Sequence, residues 1–117
     1  MKLLFALVAA TLLVAGCAKP GGASVPEQDA EGRYVIHLTS ANKFTPADAK
    51  VPLNATVLWD NAAGVHDVTA HDGSWKSPRA MSPGTNYQHT FAAAGEYDYH
   101  CTLHSGMVGT IHVGDDA

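Results

Sequence analysis

Cysteine is scarce in this 117-residue chain, which holds only Cys17 and Cys101. Cys17 sits beside a leader-like segment, so Cys101 has no partner for a disulfide, although an oxidising compartment would permit one. Cationic residues are also few. Seven Lys and Arg stand against 11 Asp and Glu, a formal net charge of −4, and a basic nucleic-acid surface is unsupported. Long apolar runs are missing too. The longest, Leu3 to Val14, follows Lys2 and falls short of the ~20 residues of a membrane-spanning helix, but has the form of an export signal. No helical period is sustained and no internal repeat is visible, which argues against a helical or repeat architecture.

Residues 1–16 are therefore set apart from the fold as a signal peptide. The junction Val14-Ala15-Gly16-Cys17 resembles a bacterial lipoprotein cleavage box, in which the cysteine is lipidated and becomes the mature N-terminus. The bland alternative is cleavage near Ala15 that leaves Cys17 as a free thiol, a liability in an exported protein. Lipidation at Cys17 would hold the chain on the periplasmic or cell-surface side of a bacterial membrane by more than one acyl chain. That suffices for stable anchoring without crossing the bilayer. Residues 17–30, rich in Gly, Pro and Ala, read as the lipidated cysteine and a flexible tether, and residues 31–117 as the single folded domain.

That domain reads as all-β. Strand-like runs at Arg33–Leu38, Ala55–Asn61, Val65–Ala70, Tyr87–Ala92, Glu96–Cys101 and Val108–Val113 are separated by Gly, Pro, Asn and Asp turns. Six to eight short strands in so small a domain predict a two-sheet sandwich, with Trp59, Phe91, Tyr97 and Ile111 in its core. Trp75 lies in a Gly/Ser/Pro-bounded stretch and fits either a cap on the core or a partly exposed site.

One short segment gathers unusual chemistry. Cys101, His104 and Met107 are spaced three apart across a strand, a turn eased by Gly106, and the next strand. Thiolate, imidazole and thioether are the donors soft copper prefers. A trigonal plane with a weak axial sulfur needs a second histidine, and His66 is the best candidate, since it follows a small-residue loop after Thr56-Val57-Leu58-Trp59. Taken singly, each has a plainer reading: His66 and His104 as hydrogen-bonded or surface histidines, Met107 as core filler. The joint pattern favours ligation, and a lone exported cysteine gains protection from it.

With these residues assembled, the chain resembles the cupredoxins, the type 1 blue copper proteins, in their plastocyanin/amicyanin-like bacterial group. The resemblance runs from Tyr34 to Val113 and includes Phe44-Thr45-Pro46, Trp59, His89-Thr90-Phe91, Gly95-Glu96-Tyr97 and the short Cys-x2-His-x2-Met loop. It implies a Greek-key β-sandwich of about seven to eight strands with one type 1 copper ion at one end. His66, Cys101 and His104 would lie in the plane and Met107 on the axis. It also implies that Asp67, where the family often has Asn, ties its strand to Thr102, and that the Asp67 amide donates to the ligand sulfur. Val65, Ala63, Leu103, Met107 and Met81 would surround the exposed His104 edge as an electron-entry patch.

The function so implied is single-electron shuttling between larger redox proteins of the cell envelope, by a monomer that is not itself an enzyme. The runner-up is copper buffering or delivery, which usually employs several Met or paired Cys ligands; at most two Met could remain here once the leader is removed. Zinc could also occupy a Cys, two His and one further donor, though Met is a poor fourth ligand for it. His100 precedes Cys101, a position that in copper nitrite reductases binds a catalytic copper. Thr102 follows, no His-x-His pair exists, and one domain supplies no further ligands, so His100 reads as an outward-facing strand residue. His37, His89 and His112 read as strand-surface residues, and His71 falls in a turn before Asp72 and Gly73.

Overall fold

The computed structural model of the protein describes residues 22–114. Eight strands and no helix appear among them: β1 (Tyr34–Leu38), β2 (Phe44–Thr45), β3 (Asp48–Val51), β4 (Thr56–Asn61), β5 (Thr69–Ala70), β6 (Asn86–Thr90), β7 (Gly95–His100) and β8 (Val108–Val113). They form two four-stranded sheets, ordered β2-β1-β4-β6 and β3-β8-β7-β5. Each sheet mixes one parallel pair, β1 with β4 and β3 with β8, with antiparallel pairs.

Alternation along the strands builds the core between the sheets. In β8, Gly109, Ile111 and Val113 point inward while Thr110 and His112 face out, as a half-buried strand requires. Trp59 is fully buried, with Tyr99 edge-on at 5.4 Å and Trp75 tilted at 5.5 Å between ring centroids. Rings of this size bury about 150–250 Å² each, so at about 25 cal/mol per Å² each contributes roughly 4–6 kcal/mol before entropy is subtracted. Trp75 is thus a core residue. Tyr97 is only half-buried and its hydroxyl donates to the Ala93 carbonyl. Tyr99 packs so closely over Gly109, its partner on β8, that an added Cβ there would overlap the phenol ring.

Two expectations from the sequence are corrected. Val65–Ala70 is a strand only at Thr69–Ala70, because hydrogen bonds of the nearby site replace the ladder. The Val68 N–H donates to Ser77 Oγ at 2.9 Å, and the Asp67 N–H points at the Cys101 sulfur at 3.5 Å. The second correction concerns the tether. Residues 24–29 are bound to the domain: Lys50 N–H donates to the Ser24 carbonyl at 2.9 Å, Ser24 N–H to Asp48 at 3.0 Å, and Val35 N–H to Glu27 at 2.9 Å. Gly, Pro and Ala content hid this, since main-chain pairing makes little demand on side chains. The signal-peptide and Cys17 assignments lie outside the described residues.

His89 on β6 stacks on Trp75 at 5.1 Å and meets the Phe91 ring edge at 4.8 Å. Desolvation there holds its pKa below the ordinary histidine value. Below about pH 6.5 the unfolded chain therefore binds more protons than the folded one, and stability falls as pH falls. Thermal unfolding of the wild type and His89→Phe from pH 7.5 to 5 is expected to show the wild type losing more stability on acidification than the variant.

Candidate metal centre

The site lies at one end of the sandwich, where β7 runs into the loop that leads to β8. The inward alternation that buries Tyr99 also places Cys101 inward, 3% exposed and the one free cysteine among the described residues. The loop closes on itself tightly. Cys101 N–H donates to the Met107 carbonyl at 3.0 Å and Met107 N–H to the His104 carbonyl at 3.2 Å, which returns Met107 to the base of the loop beside Cys101. Met107 is buried, 1% exposed, and His104 is half-buried, with Nδ1 3.6 Å from the Cys101 sulfur.

His66 arrives from the other side, on the loop after β4. Gly64 turns that loop at a φ of +82° and runs so close to the His66 ring that a Cβ there would lie 2.8 Å from Nε2. Only glycine meets both conditions cheaply. Asn61, fully buried, braces the turn by donating to the Gly64 and Met81 carbonyls, both at 3.0 Å. His66 Nε2 faces two carbonyls, Ala63 at 2.9 Å and Thr39 at 3.1 Å. Both are acceptors, so Nε2 carries the hydrogen and the lone pair of the neutral ring sits on Nδ1. That Nδ1 is buried with no hydrogen-bond partner. An orphaned buried lone pair is unfavourable unless something engages it.

Ligand atoms of His66, Cys101 and His104 all lie within 4.8 Å of one another, and this is the one such trio of His, Cys, Asp or Glu side chains among the described residues. The Cys101 sulfur accepts from the Asp67 N–H at 3.5 Å and the Leu103 N–H at 3.4 Å. These donors fix the sulfur and take up part of its electron density. Asp67 is buried, 2% exposed, and its carboxylate accepts the Thr102 N–H at 2.8 Å, the Thr102 hydroxyl, and the Thr69 hydroxyl at 3.2 Å. The segment that carries His66 is thereby tied to the loop of the other ligands.

Several residues that hold the site were not singled out from the sequence. Asn61, the Thr39 carbonyl and Ser77, whose hydroxyl also donates to the Pro78 carbonyl at 2.8 Å, act through the backbone of distant segments. Asn61 carried one readable signal, a polar residue closing an apolar strand just before a Gly turn. Of the residues expected to form the electron-entry patch, Val65 is 46% exposed and Ala63 and Leu103 are half-buried. Met81 and Met107 are not part of any exposed patch. Met81 is 5% exposed because its backbone pairs with His66, by Met81 N–H to the His66 carbonyl at 2.8 Å, and this turns its side chain into the core.

An all-β sandwich with a buried Cys and two His converging at one end defines a copper protein of the cupredoxin type. The chain belongs to the plastocyanin/azurin family of copper binding proteins, whose pattern matches residues 35–114. Amicyanin of Paracoccus denitrificans is 34% identical over 90 residues, 72% of this chain and 67% of that protein. Among solved structures, a reduced amicyanin variant superposes with a TM-score of 0.65 at 31% identity, over 73% of this chain and 85% of that one. A purple cupredoxin from Nitrosopumilus maritimus gives 0.60 at 26% identity, over 68% of this chain and 98% of that one. Copper is the cofactor, and the cluster of His66, Cys101 and His104 fits a type 1 site.

Proposed function

We propose that the protein is a single-electron carrier of the bacterial cell envelope, in which His66 Nδ1, the Cys101 thiolate, His104 Nδ1 and the Met107 sulfur would hold copper. The orphaned Nδ1 of buried His66 carries this reading most directly, since copper is the partner it lacks. Bound there, copper supplies a one-electron couple that both oxidation states share with little rearrangement. The residues supply rigidity. The Asp67 bridge to Thr102 and the Cys101–Met107 backbone bond keep the ligands in place whichever charge the site carries. His104 spans the distance from the buried sulfur to the surface, and Val65, Ala63 and Leu103 around it exclude water from a small, transient contact with a larger redox protein.

The leader and Cys17 support anchorage to a membrane through an N-terminal lipid. With Ser24 docked on β3, only six residues, 18–23, separate that lipid from the domain. The seven steps from Cys17 to Ser24 span at most about 25 Å when fully extended, which keeps the domain close to the bilayer.

Electron self-exchange between copies of the copper-loaded protein, read from nuclear magnetic resonance line broadening in mixtures of the two oxidation states, tests the patch. Leu103→Glu places like charges opposite one another whenever two copies meet through His104. The exchange rate is expected to fall about tenfold or more and to recover partly at high salt. An unchanged rate would show that electrons leave by another face.

A further inference from the structure

The outer face of the β5–β7 pair carries a second histidine couple that the copper site does not use. Thr69 pairs with His100 and Ala70 with Tyr99, and the His71 N–H continues the ladder to the Asp98 carbonyl at 2.9 Å. Ala70, Tyr99 and Cys101 point inward, so His71 and His100 both point out and lie diagonally across the two strands. Their ring centroids are 4.9 Å apart with the planes at 56°. The first pair, His66 and His104, shows nearly the same relation, 5.0 Å and 59°. A second parallel is chemical. Nδ1 of His100, like Nδ1 of His66, is buried without a hydrogen-bond partner.

The separation suits a shared ion. A ring nitrogen lies about 1.1 Å from its centroid, so a metal about 2.1 Å from each nitrogen sits about 3.2 Å from each centroid. Centroids 4.9 Å apart then correspond to a nitrogen–metal–nitrogen angle of about 100°, close to tetrahedral. Carboxylates beside the pair are already engaged. Asp98 accepts from the Thr110 hydroxyl at 2.8 Å, and Asp72 accepts from the Ser74 N–H and hydroxyl at 2.9 and 2.7 Å. The remaining coordination positions would go to water. Both histidines line one open concavity of about 520 Å³ whose remaining wall is the ligand loop itself, from Cys101 to Val108.

We propose that His71 and His100 form a second, exchangeable metal site for late first-row divalent ions, with Cu(II) bound most tightly among them. Two neutral imidazoles select this class of ion over Mg²⁺ and Ca²⁺, and the general order of divalent affinities places Cu(II) first. Open water positions make the ion easy to release. The site therefore holds copper at the surface, one residue from the ligand cysteine, without thiolate bonding or intense colour.

The test uses the full chain with its first site already filled by one equivalent of copper. Further Cu(II) is added and followed by calorimetry and electron paramagnetic resonance. The expected result is one additional ion per chain, a new signal with splitting from two nitrogens, and no change in the visible band of the first site. Both His71→Ala and His100→Gln should weaken this second binding about tenfold or more, while His37→Ala leaves it unchanged. Equal affinity in His71→Ala, no second equivalent, or one ion shared by two chains would overturn the proposal. The two sites fail separately. A protein that forms no visible band but still binds an ion lost in His71→Ala would contradict the first site and support the second.

Discussion

Cys101→Ser is expected to abolish the intense visible absorption of the Cu(II)-loaded protein and its reversible one-electron wave, while leaving the sandwich folded. The band arises from charge transfer out of a thiolate, and no other sulfur among the described residues is a thiol. Serine has nearly the shape of cysteine, and its hydroxyl oxygen can accept from the same Asp67 and Leu103 N–H groups that now reach the sulfur. The cost to the fold should therefore be about 1 kcal/mol, in the range of ordinary substitutions. Colour and redox activity should disappear entirely. Absorption spectroscopy, voltammetry and denaturant unfolding of the same preparation separate the two effects, and a variant that keeps its band would remove Cys101 from the site.

Asp67→Ala is expected to cost about 1–3 kcal/mol and to loosen the ligand loop, because it strips acceptors from a buried position. The carboxylate binds the Thr102 N–H, the Thr102 hydroxyl and the Thr69 hydroxyl. Alanine supplies none of these acceptors. Thr102 follows Cys101 directly, so the loss should reach the metal. Release of copper to a competing chelator is expected to quicken about tenfold, within the range seen when groups supporting a ligand are removed. Asp67→Asn retains one carbonyl oxygen for the Thr102 N–H and should fall between. Stopped-flow release and urea unfolding check both numbers, and an Asp67→Ala protein as stable as wild type would show that the bridge contributes nothing.

The centre of the fold was legible where alternation and chemistry coincided. β7 and β8 carry apolar residues at the strand period and β4 a short apolar run, Val57-Leu58-Trp59, and the structure places all three within a residue of the expected bounds. β2 and β3 were not expected. Their sequences, Phe44-Thr45 and Asp48-Ala49-Lys50-Val51, are short and polar on one face, and they are strands only because β1 and β8 offer edges to pair with. The docked residues 24–29 escaped notice for the same reason.

The candidate site shows the same division. Cys101, His104 and Met107 lie on one loop, so their spacing alone brought them together. His66 was found from a small-residue turn, and the structure gives that turn its reason in the approach of Gly64 to the ring. The Thr39 carbonyl could not be read, since it acts across segments that only the folded chain brings together. Met81 misled because a methionine near a loop looks exposed until its backbone pairing is known.

Electron paramagnetic resonance of the protein carrying a single equivalent of Cu(II) decides whether the Cys101 thiolate and two histidines hold the metal. Spin shared with the Cys101 sulfur compresses the copper hyperfine splitting along the main axis, and that narrow pattern is expected, with nitrogen coupling from His66 and His104. The wide splitting of a copper bound by nitrogen and oxygen alone would contradict it.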